Sequence, residues 1–244
     1  MKGFENLKAH LESFEKNRKA ADFPPASERK AYADLIAGCF MPCARAVLSG
    51  RFVIFGSDGK AVREIIPTAI ELYYHEEREG GFKDPVMYHT NDRKNTDGTS
   101  YFANRRINRV PYFPMGSMNP HTSGIDITFE NPEEQYRASF LIREYSLRID
   151  GGNPIPIKNS TDIYDDMLIQ GIPFGDADWI EWVDGAAPES FHVVRGWRRN
   201  VAEYEETRPG FWRKKEVQKG WNSFTIGKYT YAKCPFDWQF RISQ

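Results

Sequence analysis

The sequence predicts an α+β domain built on a mainly antiparallel sheet. Three observations carry that expectation. Apolar residues recur at intervals of three and four near the start, period-two runs separated by turns begin at residue 51, and 19 Gly and 15 Pro break 244 residues into many short elements. Hydrophobic residues make up 40% and aromatics 14%, which suffices for one sizeable core and excludes a chain disordered throughout.

Phe4, Leu7, Leu11 and Phe14 share one helical face, with Lys8, Glu12, Glu15 and Lys16 between them, so the spacing predicts an amphipathic helix that closes by Pro24 and Pro25. Ser27 caps a second helix through Tyr32, Leu35 and Ile36. Pro42 opens a third, through Arg45 and Leu48 to Gly50, because proline suits a first helical turn. Residues 51–55 and 61–72, on either side of Asp58-Gly59, read as a hairpin. From 73 to 124 the chain is polar and rich in Asn without a sustained period, and reads as long functional loops. Strands follow at 124–129 and 138–145, then a short helix capped by Ser160 or Thr161 through Ile163, Met167 and Ile169, then a strand from Trp179 to Val183. No internal repeat and no low-complexity tract interrupts this order.

Charge narrows the function classes. The chain carries 33 Lys+Arg against 34 Asp+Glu, a net charge of -1, which fits neither a general polyanion coat nor an acidic tail, so a polyanion must be met by a local patch. Residues 161–190 hold eight acidic side chains and no Lys or Arg. Arg195, Arg198, Arg199, Arg208, Arg213, Lys214, Lys215 and Lys219 then follow, interleaved with Trp197, Trp212 and Trp221. Such a segment either faces nucleic acid, cations on phosphates and rings on bases, or forms a solvated face that neutralises the acidic stretch before it. No run approaches the roughly 18 apolar residues of a membrane span. The charged start Met1-Lys2-Gly3-Phe4-Glu5 has no apolar leader segment, and Cys39, Cys43 and Cys234 lack a zinc-ligand pattern and read as reduced packing thiols. The expectation is a cytoplasmic monomer without membrane association or bound metal.

No phosphate-binding glycine loop, His-Glu-x-x-His or Gly-x-Ser-x-Gly elbow occurs. What remains is a group at the end of the second hairpin strand, Glu71, Tyr73 and His75, followed after a loop by His89 and Arg93. Period-two alternation puts Glu71 and Tyr73 on one face, where a partly buried carboxylate beside aromatic surface can act as a general base. The competing readings are an ion-paired strand glutamate for Glu71 and a carbonyl-capping loop histidine for His89.

The order of motifs resembles the alkyladenine (3-methyladenine) DNA glycosylase family. Cys43-Ala44-Arg45-Ala46-Val47-Leu48-Ser49-Gly50 before the hairpin and Ile70-Glu71-Leu72-Tyr73 at its end resemble that family's opening. His89-Thr90-Asn91-Asp92-Arg93-Lys94-Asn95 is similar to its post-hairpin loop, Phe140-Leu141-Ile142-Arg143 to its Val-Leu-Ile-Arg strand, Ser160 to Ile169 with Gly171 to its helix, and Trp179-Ile180-Glu181 to its next strand. The stretch from Val193 to Val201 lies where the family has a basic loop.

The resemblance implies a metal-independent, cofactor-free N-glycosylase acting on a damaged purine flipped from duplex DNA. Glu71 would activate the water that attacks the sugar C1′; Tyr73, His89 and Arg143 would line the base pocket; Arg93, Arg195, Arg198 and Arg199 would grip DNA. Arg143 is equally readable as half of an internal salt bridge. Two positions depart from the family. Ser123 stands where it has an aromatic wedge before Gly124, and Glu130 where it has a purine-discriminating Asn, while Tyr101, Tyr112, Phe113, Met115 and His121 are the candidates for a substitute wedge. The combined expectation is a single α+β domain, residues 27–244, with a curved, mainly antiparallel sheet and surrounding helices, preceded by an N-terminal helical extension, residues 1–26. Its rivals are a catalytically lapsed nucleobase- or nucleic-acid-binding protein on the same fold, or a hydrolase of single-stranded or free nucleosides.

Overall fold

The computed structural model describes residues 4–56, 58–84, 87, 90–91, 110–121, 123–167, 179–185, 191–196, 198, 204–208, 211–214, 223–226, 229–232 and 236–243, with the strands between 204 and 232 described by backbone alone. Helix α1 spans Glu5–Ala20 and buries Leu7, Leu11 and Phe14 completely. Each such side chain contributes about 1.5–3 kcal/mol. Phe14 meets Phe40, Tyr74, Phe129 and Tyr136 edge-on, so the segment read as an extension is part of the core.

The second and third predicted helices are one continuous helix, α2, Arg29–Ser49, with Pro42 inside it. Pro42 and Gly38, whose carbonyl loses its intrahelical donor, both lie on the exposed side, where water replaces the missing bond. The opposite side buries Tyr32, Ile36, Phe40, Cys43, Val47 and Leu48. That stripe more than offsets the roughly 3 kcal/mol a helical proline costs. Among the described residues α2 is also the helix long and apolar enough to cross a membrane, and its apolar side is packed inside this fold.

The main sheet is antiparallel and curls into a half-barrel. β1 (Arg51–Phe55) and β2 (Ala61–Glu76) form the expected hairpin. β3 (Met118–His121), β4 (Gly124–Thr128), β5 (Tyr136–Ile149) and β7 (Ile180–Val183) complete the order β3-β4-β5-β2-β1-β7. β6 (Ile155–Ile157) pairs with β5, and β13 (Gln239–Ile242) joins β2 to β8 (Val193–Gly196). Helix α3 is the single turn Ile163–Met167. Two short hairpins, β9 (Tyr204–Arg208) with β10 (Phe211–Lys214) and β11 (Ser223–Ile226) with β12 (Tyr229–Ala232), stand outside this sheet. The stretch read as loop from 73 to 124 thus holds the end of β2 and all of β3. β3 carries Pro120 and little apolar surface, which an edge strand tolerates and a pattern search passes over.

The β2–β5 ladder changes phase in the middle. Pro67 faces Tyr145, Ala69 faces Glu144 and Ile70 faces Ile142, so Thr68 on β2 and Arg143 on β5 are each skipped. Pro67 cannot donate to a ladder, and a bulge beside it accommodates that loss. Before the bulge Ile65 lies in register with Phe52, which packs on Phe4 of the first helix; beyond it Tyr74 packs on Phe14 of the same helix. Ile65 and Tyr74 have opposite parity along the strand, so the bulge hands the core-facing role from odd residues to even ones. Ile70, Leu72 and Tyr74 therefore enter the core, and Glu71, Tyr73 and His75 take the other side.

Candidate active site

That other side is buried as well, and it is polar. From β2 it receives Glu71, Tyr73 and His75; from β5, Arg137, Ser139 and Arg143; from β4, Asp126 and Thr128, with Glu130 two residues past its end; from β13, Gln239. All of these are buried except Tyr73, which is partly so. A buried polar side chain is tolerated only when its donors and acceptors are met, so the partners define what this face can do.

Glu71 is at its centre and fully buried. Arg143 Nη2 donates to its Oε2 at 2.5 Å, the Tyr73 hydroxyl donates to the same oxygen at 3.2 Å, and Gln239 Nε2 donates to Oε1 at 3.1 Å. Arg143 Nη1 continues to the Ser160 hydroxyl at 3.3 Å, which in turn donates to the Ser123 carbonyl at 2.7 Å. Gly124 makes this approach possible, since its φ of +135° is one that side chains rarely adopt and an added Cβ would meet the Ser160 carbonyl oxygen at 2.9 Å. Burial works most strongly against the Arg143 cation, and the charge and hydrogen bond of Glu71 together with Tyr73 outweigh it, raising its pKa. Burial first, and the Glu71 charge second, push the Tyr73 phenol well above its ordinary value, so it serves as a neutral donor. Arg143, readable as either a site residue or an internal ion pair, is the partner of Glu71.

Arg198 lies over the ring of Tyr73, 4.9 Å from its centroid. Its guanidinium grips Asp84 through two bonds of 2.7 and 3.0 Å and has no exposed side-chain surface. The backbone N–H of Asp84 donates to His75 Nδ1 at 3.1 Å, which fixes that ring as well. Arg195 is in register with Phe240, whose ring packs on Phe40 of α2, so it points to the opposite side of the sheet. There it pairs with Asp34 at 2.8 Å and donates to the Asp237 carbonyl. Of the expected phosphate grips, Arg198 is thus an internal clamp, whereas Arg195 forms a partly exposed pair with Asp34 on the opposite face. His89, Arg93 and Arg199 lie outside the described residues.

Glu130 joins a separate network. Arg137, fully buried, donates to Glu130 at 3.0 Å, to Glu77 at 2.6 Å and to the carbonyls of Val110 and Pro111, with Tyr112 stacked 4.2 Å from its guanidinium carbon. The carboxylate expected to repel phosphate is therefore spent on an internal cation, and Tyr112 is committed to the same cluster. Of the residues overlooked in the sequence, Asp126 left a signal, an acidic residue inside the apolar run Ile125-Asp126-Ile127, whereas Gln239 and Asp84 reach the site through pairings no local pattern encodes. Cys39 and Cys43 are buried on the core side, and burial holds both thiols above their ordinary value. Among the described residues no three His, Cys, Asp or Glu side chains gather as a metal site requires.

Compared with protein-family models, curated proteins and solved structures, the chain matches none.

Proposed function

We propose that the chain hydrolyses the N-glycosidic bond of a modified purine, with Glu71 activating the water and with Tyr73 and Arg143 holding the carboxylate in place. The observation that carries this reading is the Glu71 carboxylate itself, buried on the polar face and held by a guanidinium, a phenol and an amide. N-glycosidic hydrolysis asks for little else: a base for water, a negative charge near the developing oxocarbenium, and a dry site in which both act strongly. None of this needs a cofactor. The order of motifs supports a purine extruded from damaged duplex DNA as the substrate, stacked on aromatic surface.

A second reading is favoured by the fate of Arg195 and Arg198. With Arg198 engaged inside the protein and Arg195 paired with Asp34 at its surface, more of the phosphate grip would fall to Arg93 and Arg199, and a substrate with few phosphates, a free nucleoside or a short single strand, requires less of it. The fully satisfied Glu71 equally suits a binding protein that has ceased to turn over.

Base release from alkylated duplex DNA, from single strands and from free nucleosides, with the wild type and Glu71→Gln, tests these readings. Glu71→Gln should retain the fold and lower release at least about 100-fold. Unchanged release in that variant would remove Glu71 from the chemistry, and release from nucleosides alone would replace DNA as the substrate. Oligonucleotide binding without release would favour the non-catalytic protein.

A further inference from the structure

The polar face carries another ionisable pair that this chemistry leaves unused. His121 ends β3 and Asp126 lies on β4. Asp126 is in register with Leu141, and Leu141 with Glu71, so the aspartate stands two strands from the glutamate, roughly 10 Å across the ladder. Asp126 Oδ2 accepts the Ser139 hydroxyl at 3.3 Å. Its Oδ1 is buried with no hydrogen-bond donor; His121 Nε2 comes within 3.1 Å of it, at ion-pair distance but out of line. On the other side of the ring Nδ1 accepts the Ser123 backbone N–H at 3.3 Å, and the side chain is 28% exposed beside exposed Ser123.

Among the described residues the groups facing this ring are Asp126 from β4 and Arg143 from β5, with the Tyr164 hydroxyl of α3 beside the His121 backbone and donating to the Gly124 carbonyl. Burial is the largest influence and disfavours the imidazolium, as does Arg143; the contact with Asp126 outweighs both and raises the pKa above its ordinary value of 6.5. An imidazole with a buried carboxylate beside one nitrogen and, at the other, only a long contact to a neighbouring backbone N–H that protonation would displace is the arrangement of a proton donor.

We propose that His121 is the acid of this site, giving its Nδ1 proton to the departing purine while Asp126 holds Nε2–H. The inference rests on the hydrolase reading above. Glu71 takes one proton from water as the water oxygen bonds C1′; the C1′–N bond breaks with its electron pair going to the purine, and a purine nitrogen takes the proton from His121. Glu71 then releases its proton to solvent and His121 regains one. The ring left behind is neutral, with hydrogen on Nε2 and with Nδ1 accepting the Ser123 N–H as it does in this structure.

The test compares two duplexes under single-turnover conditions, one carrying N7-methylguanine, already cationic, and one carrying hypoxanthine, which is uncharged and leaves poorly without a proton. His121→Gln should cut hypoxanthine release by about 100-fold or more, change N7-methylguanine release less than about tenfold, and abolish the fall in hypoxanthine release at alkaline pH. Asp126→Asn should move that fall to lower pH. Equal losses on the two duplexes, an unchanged pH profile, or a wild type that releases only the methylated base would overturn the assignment. If Glu71→Gln is inactive while His121→Gln matches the wild type, His121 alone is reassigned; if the wild type releases neither base, the hydrolase reading and this one fall together.

Discussion

Arg143 donates to Glu71 at 2.5 Å from a position with no partner in the β2–β5 ladder. The residue that meets the glutamate is the one the strand pushes out of register, and a bulge is how a sheet re-aims a side chain without moving its neighbours. The pair is buried, with side-chain exposures of 10% and 0%. Two charges in such a place stabilise little as a pair and cost much when separated.

Arg143→Met should therefore lower unfolding stability by about 3 kcal/mol, because it strands the glutamate, whereas the double variant Arg143→Met/Glu71→Gln should recover part of that loss. Urea unfolding of the single and double variants measures the coupling. A cost below about 0.5 kcal/mol for Arg143→Met would mean that the two are not an ion pair in solution.

Acid should cost stability through Glu76. Its burial favours the neutral acid, but hydroxyls of Tyr32 and Tyr74 at 2.6 Å, the Phe82 N–H and Arg78 outweigh it and lower its pKa from 4.5 to about 2. A depressed folded value means stability that is complete above the unfolded value and lost as pH falls from about 4.5 to about 2, amounting to about 3 kcal/mol. Between wild type and Glu76→Gln the stability gap should shrink across that window. Chemical denaturation at a series of pH values measures it, and a gap independent of pH would contradict the assignment.

Arg198→Met should cost about 3 kcal/mol, since it leaves Asp84 buried without its bidentate partner. Any oligonucleotide binding by the folded variant should keep the salt dependence of the wild type. A variant as stable as wild type whose log–log salt slope drops by about one would show Arg198 on a phosphate instead.

Gly124→Ala should destabilise by about 2–4 kcal/mol, from a backbone angle that alanine resists and from contact with the Ser160 carbonyl oxygen and Leu141. Thermal denaturation checks the sign. A neutral effect would imply that residues 123 and 160 separate easily, and with them the second support of Arg143.

Local periodicity made much of this architecture legible. The α1 stripe, the hairpin over 51–72 and the shared face of Glu71 and Tyr73 follow from spacing alone. Pro42 split α2 on paper because the rule that proline starts helices knows nothing of a solvent side on which the broken bond costs little. Arg195 looked free because its direction is set by Phe240, 45 positions away in the chain and opposite it in the β8–β13 ladder. Arg198 looked free because Asp84, 114 residues upstream, is brought to it only by the fold. Cations cluster in sequence for reasons of neutralisation as readily as for binding, and only their partners tell the two apart.

The phase change beside Pro67 means that the site's position is counted rather than shaped. Counting by twos from Ile65, an uninterrupted strand would turn Glu71 and Tyr73 toward the rings of Phe14 and Phe40 and bring Ile70 and Leu72 out among the arginines. A one-residue gain or loss between Ile65 and Ile70 therefore exchanges chemistry for packing, while a change of two leaves both faces as they are. In any homologous chain, the parity of that short interval decides whether a glutamate at this point of the alignment can face a substrate at all.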